Sequence, residues 1–291
     1  MSVIVGIVVV IAAIIGGYLM EHGNLRVLLQ PAELLIIGGT AAGTILIGNP
    51  LHVLKKIGGG IVATFKGSPF SKQLYLDFLK MMYELLNRAR KDGLLALESD
   101  IEEPEKSQTF TKYPNFLKDH HARDFVCDTL RMSITGGVEP FDLEQMMEAD
   151  MDVHNHLSSM PGAALSTTAD ALPGLGIVAA VLGVVITMGS LGGPPEEIGQ
   201  KVAAALVGTF LGVLLCYGFV GPLSANMAKI AEDEHAYYNV MCVLIIAFIK
   251  GVAPLLAIEM ARRVIPGNVR PSFAEVEKYC KGIASAASSQ G

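Results

Sequence analysis

Four long stretches of the chain contain no Asp, Glu, Lys or Arg. A helix that crosses a bilayer needs about 20 mostly apolar residues. Three stretches come close to that length, whereas the second is shorter and contains four glycines. The stretches are Ser2–Met20, Leu34–Asn49, Ala171–Leu191 and Val202–Leu223. This pattern predicts an all-α membrane protein with four transmembrane helices, arranged along the chain as two pairs.

A more polar insert of about 120 residues separates the two pairs. Its first apolar side chains recur at steps of three and four residues, which is typical of an amphipathic helix. They are Phe70, Leu74, Phe78, Met81, Met82 and Leu85. We therefore expect four regions. These are transmembrane helices 1 and 2 in residues 1–50, a helical cytoplasmic domain in 51–170, transmembrane helices 3 and 4 in 171–223, and a cytoplasmic tail in 224–291.

Further helices are predicted in the insert and the tail. Helical patterns cover 94–102, about 114–132 and 139–156, and the last is expected to end near Pro161 because proline breaks a helix. In the tail, 225–236 continues the fourth span as a helix, and the apolar run 240–249 is too short for a fifth span. That run predicts a buried or interfacial helix. The last dozen residues, rich in Ser, Ala and Gly, are expected to be disordered.

Composition and charge favour a membrane protein with its insert inside the cell. Hydrophobic residues make up 51% of the chain and charged residues 17%, which is too apolar for a soluble domain of this size. Of the 22 Lys and Arg residues, the insert holds 13 and the part after Leu223 holds 7. The residues near the span ends predict a cytoplasmic insert and two cytoplasmic termini. Because the spans contain no carboxylate at mid-membrane depth, we expect a partner to supply any ion-carrying group.

Residue patterns of enzymes and metal centres are missing from the sequence. The four cysteines form no C-x-x-C, and the histidine pairs at His120-His121 and His154-Asn155-His156 lack the spacing of a metal site. The chain contains no Walker loop, nucleophile elbow or dinucleotide fingerprint, and no basic stripe for nucleic acid. We therefore expect no enzymatic activity, no cofactor and no metal ion.

One cluster of charges in the insert is a candidate docking surface. Basic residues precede acidic residues by about ten positions, and two patches of opposite sign can steer another protein into place. An ordinary solvated helix pair with weak local ion pairs explains the same pattern. The residues are Arg88, Arg90, Lys91, Glu98, Asp100, Glu102 and Glu103. The sequence leaves both interpretations open.

Prolines and hydroxyl groups are the candidate functional residues of the spans. Pro173 begins the third span and Pro222 ends the fourth, so they can bend two helices at one depth or merely mark helix ends. The hydroxyls of Thr187 and Thr209 can line a polar path or bond to their own helix backbone.

Two motifs in the spans carry a resemblance to a known family. They read Ala171-Leu-Pro-Gly-Leu-Gly-Ile-Val-Ala-Ala-Val-Leu-Gly-Val-Val and Val207-Gly-Thr-Phe-Leu-Gly-Val-Leu-Leu-Cys-Tyr-Gly-Phe-Val-Gly-Pro-Leu. Together they resemble the MotA family, the membrane stator subunits of the bacterial flagellar motor. The resemblance covers nearly the whole chain, including the order of spans and the size of the insert. It implies a channel subunit in the bacterial inner membrane that converts ion flow into torque.

The resemblance also implies roles for charged residues. Arg90 and Glu98 match family residues that face FliG, the switch protein of the rotor, and Lys91 is similar to a family position beside them. Asp170, just before the third span, looks like a family acidic residue near the cytoplasmic exit of the ion path.

In the spans, the resemblance implies an ion path and a choice of ion. Pro173 and Pro222 match prolines placed near the path, and Thr209 matches a channel-side position. Ala179-Ala180 stands where sodium-driven relatives tend to carry Gly-Thr, which favours protons.

The partner that the resemblance implies is MotB, whose single transmembrane helix brings an ion-carrying aspartate and a peptidoglycan-binding domain. The family architecture is a ring of five such chains around two partner helices. One alternative is an energiser of the ExbB/TolQ type, which serves outer-membrane processes and typically has three spans. Another alternative is a passive membrane scaffold, which needs neither a partner nor conductance.

Overall fold

The computed structural model describes residues 2–189 and 192–287, and every regular element in these ranges is helical. The α-helices of this part are α1 Ser2–Met20, α2 Leu25–Leu28, α3 Pro31–Gly48, α4 Leu51–Lys66, α5 Lys72–Asp92, α6 Glu98–Glu102, α7 Pro114–Lys118, α8 His120–Thr135, α9 Pro140–Met188, α10 Pro195–Leu214, α11 Gly221–Ile249, α12 Pro254–Val264 and α13 Phe273–Ala287. Short 3₁₀ segments lie at Leu94–Leu97, Pro104–Lys106 and Phe110–Lys112, and a π-helical segment lies at Leu215–Val220.

Four helical stretches of the described chain are long and apolar enough to cross a membrane. They are Ser2–Met20, Leu25–Gly48, Pro140–Met188 and Pro195–Ile249. The predicted all-α fold with four spans is confirmed. Leu191, the predicted end of the third span, lies outside the described residues.

The third span is part of a single helix of 49 residues, α9. The predicted end near Pro161 is wrong, and Pro173 is not at a helix start, because both prolines lie inside α9. An internal proline costs a helix about 3 kcal/mol or more, so packing must offset that penalty. Pro161 is buried, and a Cβ added at Gly162 would lie 3.5 Å from the backbone nitrogen of Ala228 on α11. Close packing against α11 therefore stabilises the helical conformation through Pro161.

The chain divides into two compact units. The membrane unit comprises the residues up to Ser68 together with Leu157–Ala231. The core unit comprises Pro69–His156 together with the residues from Glu232 onwards. Both ends of the predicted insert thus belong to the membrane unit, and the tail beyond Ala231 belongs to the same unit as the middle of the insert. The four predicted regions stay a prediction.

The membrane unit buries a small cluster of mostly small or unbranched side chains. Its buried members are Ile37, Ala41, Ala169, Leu172, Ala179 and Cys216. Helix α1 has no buried residue, although nearly all of its side chains are apolar. Helix α4, which the sequence analysis did not predict, is amphipathic and buries Val53 and Ile57. The apolar surface of this unit suits a lipid environment.

The core unit is built around a large aromatic and aliphatic cluster. Tyr75, Phe78 and Tyr237 are fully or almost fully buried, and the ring centroid of Tyr237 lies 5.5 Å from those of both other residues. Such edge-on contacts between aromatic rings add to the hydrophobic term. The second half of α11 contributes Val240, Leu244 and Ile245 to this cluster, so of the two alternatives predicted for 240–249, a buried or an interfacial helix, the structure shows burial.

The last helix, α13, extends into the segment for which the sequence analysis predicted disorder. Ser272 precedes the helix, and its hydroxyl oxygen accepts from the backbone N–H of Glu275. The backbone N–H of Ser272 in turn donates to the Glu275 carboxylate over 2.7 Å. This capping box and the burial of Val276 and Cys280 stabilise the helix. Residues 288–291 lie outside the described part.

Candidate functional site

The third and fourth spans approach each other through glycines. A Cβ added at Gly212 would lie 2.6 Å from the carbonyl oxygen of Leu172 and 2.8 Å from the Cα of Gly176. A Cβ added at Gly176 would lie 2.8 Å from the carbonyl oxygen of Gly208. No real Cβ tolerates these distances, so each position requires glycine. Close backbone contact of this kind is how helices associate in lipid, where the hydrophobic effect does not drive them together.

A few residues after Gly212, the backbone of the fourth span departs from α-helical geometry. The segment Leu215–Val220 is π-helical, and the backbone N–H of Gly221 donates to the carbonyl of Cys216, five residues earlier. Pro222 follows at once, and proline has no N–H to continue the α-helical ladder. A π-helical turn is frequent at functional sites and at helix bends. Since Cys216 packs in one cluster with Ala169 and Leu172, the distortion lies beside the helix segment that contains Pro173.

The two threonines predicted for an ion path differ in their bonding. Thr187 is fully buried and its hydroxyl donates to the carbonyl of Gly183 over 2.8 Å, which matches the alternative of a bond to its own helix. Thr209 is half-buried, and its hydroxyl forms no hydrogen bond within the described residues. Ala180 is half-buried and its neighbour Ala179 is fully buried. Thr209 is therefore the threonine whose hydroxyl remains available.

Asp170 and Pro222, two further residues predicted for the ion path, lie on the surface of the single chain. Asp170 and Pro222 are exposed, whereas Pro173 is half-buried. The structure thus does not enclose these residues within one chain. A pathway that uses them needs walls from other polypeptides.

Glu33, in the first turn of α3, is a buried carboxylate that the sequence analysis missed. Its residue exposure is 7%, and its Oε2 atom has no hydrogen-bond partner among the residues that the structure describes. The favourable effect of a helix N-terminus is about 0.3–1 kcal/mol, whereas an unpaired buried charge costs several kcal/mol. The carboxyl therefore requires either a bound proton or a partner group from another polypeptide. Its place next to Leu34, the predicted start of the span, made it look like an ordinary boundary residue.

In the core unit, the charged cluster surrounds a tight turn at Gly93. Gly93 has φ 87°, in the left-handed region that favours glycine, and it joins the end of α5 to the 3₁₀ segment before α6. Arg90 and Lys91 lie in the last turn of α5, and Glu98 begins α6. All three are exposed and form no ion pair within the described residues. The signs also suit the helix dipoles, with bases at a C-terminus and an acid at an N-terminus.

The remaining charges of the cluster are paired. Arg88 forms an ion pair with Asp100, which is 5% exposed and also accepts a hydrogen bond of 2.5 Å from the Ser107 hydroxyl. Arg131 pairs with Glu102 over 2.7 Å. Lys106 pairs with Glu103 over 3.0 Å. Thus the structure divides the cluster into four charges with an ion-pair partner and three exposed charges that form none within the described residues, Arg90, Lys91 and Glu98.

Neither a reactive thiol nor a metal cluster emerges from the described residues. Burial raises the pKa of the Cys127 thiol to about 12 and that of Cys280 to about 11, so these thiols stay protonated. No group of three or more His, Cys, Asp or Glu side chains in the described ranges could hold a metal ion. His154 instead contacts Glu234 over 3.0 Å.

Two family models match the chain. Residues 4–93 match the model described as Motility protein A N-terminal, and residues 117–239 match the MotA/TolQ/ExbB proton channel family. The first match covers the first two spans, α4 and α5, and the second covers the last two spans with much of the core unit.

Individual relatives are similar over almost the full length. Motility protein A of Salmonella typhimurium is 37% identical over 283 residues, which are 97% of this chain and 96% of the relative. Chemotaxis protein LafT of Vibrio parahaemolyticus is 38% identical over 279 residues, which are 96% of this chain and 98% of the relative.

Solved structures share the fold. A structure of C. jejuni MotAB matches with a TM-score of 0.76 and 21% identity, over 93% of this chain and 98% of that chain. The flagellar MotAB stator complex of Bacillus subtilis matches with a TM-score of 0.72 and 22% identity, over 91% of this chain and 96% of that chain.

Proposed function

The chain belongs to the Motility protein A branch of the MotA/TolQ/ExbB proton channel family, and on this premise we propose that it is a stator subunit of a bacterial flagellar motor. With a MotB-type subunit it forms a proton channel and converts proton flow into torque on the rotor protein FliG. The observation that carries this proposal is the 37% identity to a motility protein over 97% of the chain.

The geometry of the spans supports a channel whose ion-carrying group comes from elsewhere. The four predicted apolar stretches contain no acidic residue, and Asp170, Pro222 and Tyr217 are exposed on the single chain. A ring of five chains around two MotB-type helices would cover these surfaces. The partner's intramembrane aspartate would then be the group that takes up and releases the proton, since a charged carboxylate is costly within a bilayer.

Proton uptake can be coupled to movement through the distorted part of the fourth span. Neutralising the partner's carboxylate changes how the partner helix packs against the helix segments that contain Pro173 and Pro222. There the π-helical segment interrupts the regular α-helical hydrogen bonds. One proton that crosses 100 mV releases about 2.3 kcal/mol. This energy is small, so the rotor contacts at Arg90, Lys91 and Glu98 must be weak enough to break at each step. Exposed ion pairs of about 0–1 kcal/mol fulfil that condition.

The orientation that this function requires is the predicted one, with both termini, the insert and the tail in the cytoplasm. Labelling of a cysteine placed at Gly23 or Asn24 from the outside of intact cells tests it. An energiser of the ExbB/TolQ type fits less well, because those relatives typically have three spans and this chain has four candidate spans in its described part.

Charge reversal tests the rotor contact. The double variant R90E/E98K should insert into the membrane at normal levels and abolish swimming, because both exposed charges would repel their rotor partners. The matched control, E103K/K106E, swaps the members of an exposed ion pair in the same unit and should leave swimming unchanged. Normal swimming by R90E/E98K rejects the role of these two residues.

Rescue of motility tests the function as a whole. Expression of this chain with its MotB-type subunit in a stator-deleted strain should restore swimming at a speed independent of external sodium. Flux into liposomes should need both subunits. Rapid proton flux through this chain alone contradicts the proposal, and so does swimming that requires sodium.

A further inference from the structure

We propose that Glu33 is a proton-binding residue of this chain's own, placed in the contact between the third and fourth spans and used by protons on their way to the partner's carboxylate. This inference rests on the proposed function, and it adds a second titrating group to a pathway in which the partner supplies the first. It also modifies the expectation that this chain contributes only walls.

The placement of the carboxyl group is the first argument. A Cβ added at Gly208 would lie 2.7 Å from Oε2 of Glu33, and one added at Gly183 would lie 3.6 Å from Oε1. The side chain of Glu33 therefore extends from α3 to both the third and the fourth spans. It occupies space that exists only because position 208 carries no side chain, and it lies in ordinary contact distance of position 183.

The level of the carboxyl group is the second argument. The same Cβ at Gly208 would lie 3.1 Å from the backbone nitrogen of Ala180. Gly208 directly precedes Thr209, whose hydroxyl forms no hydrogen bond within the described residues. Glu33 is thus at the depth of Ala180 and Thr209, the two positions that the family resemblance places at the ion path. Because α3 begins on the outer side in the predicted orientation, Glu33 comes before the mid-membrane part of the path.

The missing hydrogen-bond partner is the third argument. Oε2 is buried and has no hydrogen-bond partner within the described part of the chain, and the hydroxyl of Thr187, one turn after Gly183, donates to the Gly183 carbonyl instead. A metal cation needs several oxygen ligands, and neither glycine next to the carboxyl group offers a side-chain ligand. A proton needs only the carboxylate. The ligand that fits this site is therefore a proton.

The chemistry is a simple acid–base exchange. A proton from water on the outer side binds a carboxylate oxygen of Glu33 and forms the neutral acid. When the acidic O–H bond breaks, the same proton passes on, directly or through water, and the carboxylate is regenerated. No oxidation or reduction takes place.

The isosteric variant E33Q tests the proposal in the complex with the MotB-type subunit, reconstituted in liposomes. Glutamine keeps the size of the side chain but cannot exchange a proton. Proton flux should fall by about tenfold, since a positioned proton-transfer group contributes rate factors of this order or more. Infrared spectra should lose a carboxylic acid C=O band that the wild type shows and that shifts in D₂O. The control E21Q removes an exposed carboxylate before α2 and should leave both readouts unchanged.

A second variant separates proton exchange from packing. E33D keeps an exchangeable proton on a shorter side chain and should restore part of the flux, whereas a purely structural site would lose as much with Asp as with Gln. The proposal is overturned by normal flux in E33Q, by equal loss in E33Q and E33D, or by a wild-type spectrum without the carboxylic acid band. Failure of the proposed function itself would appear differently, as no flux in the wild-type complex.

Discussion

Side chains buried in the core unit are large, whereas those buried at the helix contacts of the membrane unit are small. The core unit encloses Tyr75, Phe78 and Tyr237. In the membrane unit, the spans meet at Gly176 and Gly212 and expose many apolar side chains. Water drives the first arrangement through the hydrophobic effect. In lipid that drive is missing, so the second arrangement depends on close backbone approach.

The two units also differ in how their charged groups are placed. Around the Gly93 turn, Arg88, Asp100, Glu102 and Glu103 form ion pairs, whereas Arg90, Lys91 and Glu98 are exposed and form none within the described residues. The described part of the membrane unit instead contains one buried carboxylate, that of Glu33, whose Oε2 has no hydrogen-bond partner there. A solvated unit can leave charges exposed at little cost. In the bilayer every ionisable group has to be paired, neutral or functional.

Truncation of the aromatic core should have the largest effect. Replacing Phe78 by Ala is expected to lower the free energy of unfolding by about 3–5 kcal/mol, because a cavity remains in a packed cluster. Thermal unfolding of the purified chain in detergent measures the change. Phe141 at the start of α9 is the control, since it is 64% exposed and its replacement by Ala should change stability little. Equal losses for the two variants would contradict the description of this core.

In the membrane unit, enlarging a side chain should be more damaging than truncating one. Gly212→Ala places a Cβ 2.6 Å from a backbone carbonyl oxygen, so the third and fourth spans must separate. Overpacking of this kind costs about 1–3 kcal/mol, and swimming speed should drop in a motility assay. Gly174→Ala is the matched control on the third span, because a Cβ there meets nothing within 4 Å. A harmless Gly212→Ala would show that the helix contact is not required.

The buried and exposed ion pairs of the core unit should differ in strength. Asp100→Asn removes the charge that Arg88 and the Ser107 hydroxyl contact, and is expected to cost about 1–3 kcal/mol because the site is buried. Glu102→Gln removes the exposed partner of Arg131 and should cost less than about 1 kcal/mol. Chemical denaturation of the two variants ranks them. The reverse order would contradict the expectation that the pair of Arg88 and Asp100 is the stronger one.

The smallest effect is expected at the cap of α13. The pKa of Glu275 is lowered from 4.5 to about 2. The largest cause is the hydrogen bond from Lys72, and the next is the hydrogen bond from the Ser272 backbone. A lowered pKa means that this stabilisation is present above pH 4.5 and is lost as the pH falls towards 2. The protection of the α13 amides against hydrogen exchange, corrected for the intrinsic pH dependence of the exchange rate, should therefore fall in the wild type as the pH is lowered through this window. Glu275→Gln should remove that part of the pH dependence, whereas Glu277→Gln should keep it.

Local patterns predicted the helices and spans well. The first span was predicted as Ser2–Met20 and has these bounds in α1. A run of apolar residues is sufficient there, because lipid imposes one requirement on every side chain. The pattern of Phe70 to Leu85 likewise identified α5, since its period reports which face is buried.

Contacts between distant residues were not predictable in this way. Pro161 lies inside α9 where the next residue, Gly162, packs closely against the backbone of Ala228, and the sequence between them gives no sign of that contact. The division of the charged cluster into paired and exposed residues depends on Ser107 and Arg131, which lie outside the motif. Glu33 is recognisable only once Gly183 and Gly208 are seen beside it. Each case depends on tertiary packing, which overrides local propensity.

The bare surface of α1 has a consequence for the choice of lipid. Its 19 residues span about 28 Å, close to the thickness of a bilayer's hydrocarbon region of about 30 Å. No side chain of α1 is fully buried, and its contacts are partly exposed ones such as that of Val10 with the Gly218 position, so α1 can tilt in a thicker or thinner membrane at a smaller cost in internal contacts than the other spans. The third and fourth spans are joined through their glycines and lack this freedom. Hydrophobic mismatch should therefore be absorbed at the periphery of the protein, which leaves the geometry of the proton route insulated from changes in acyl-chain length.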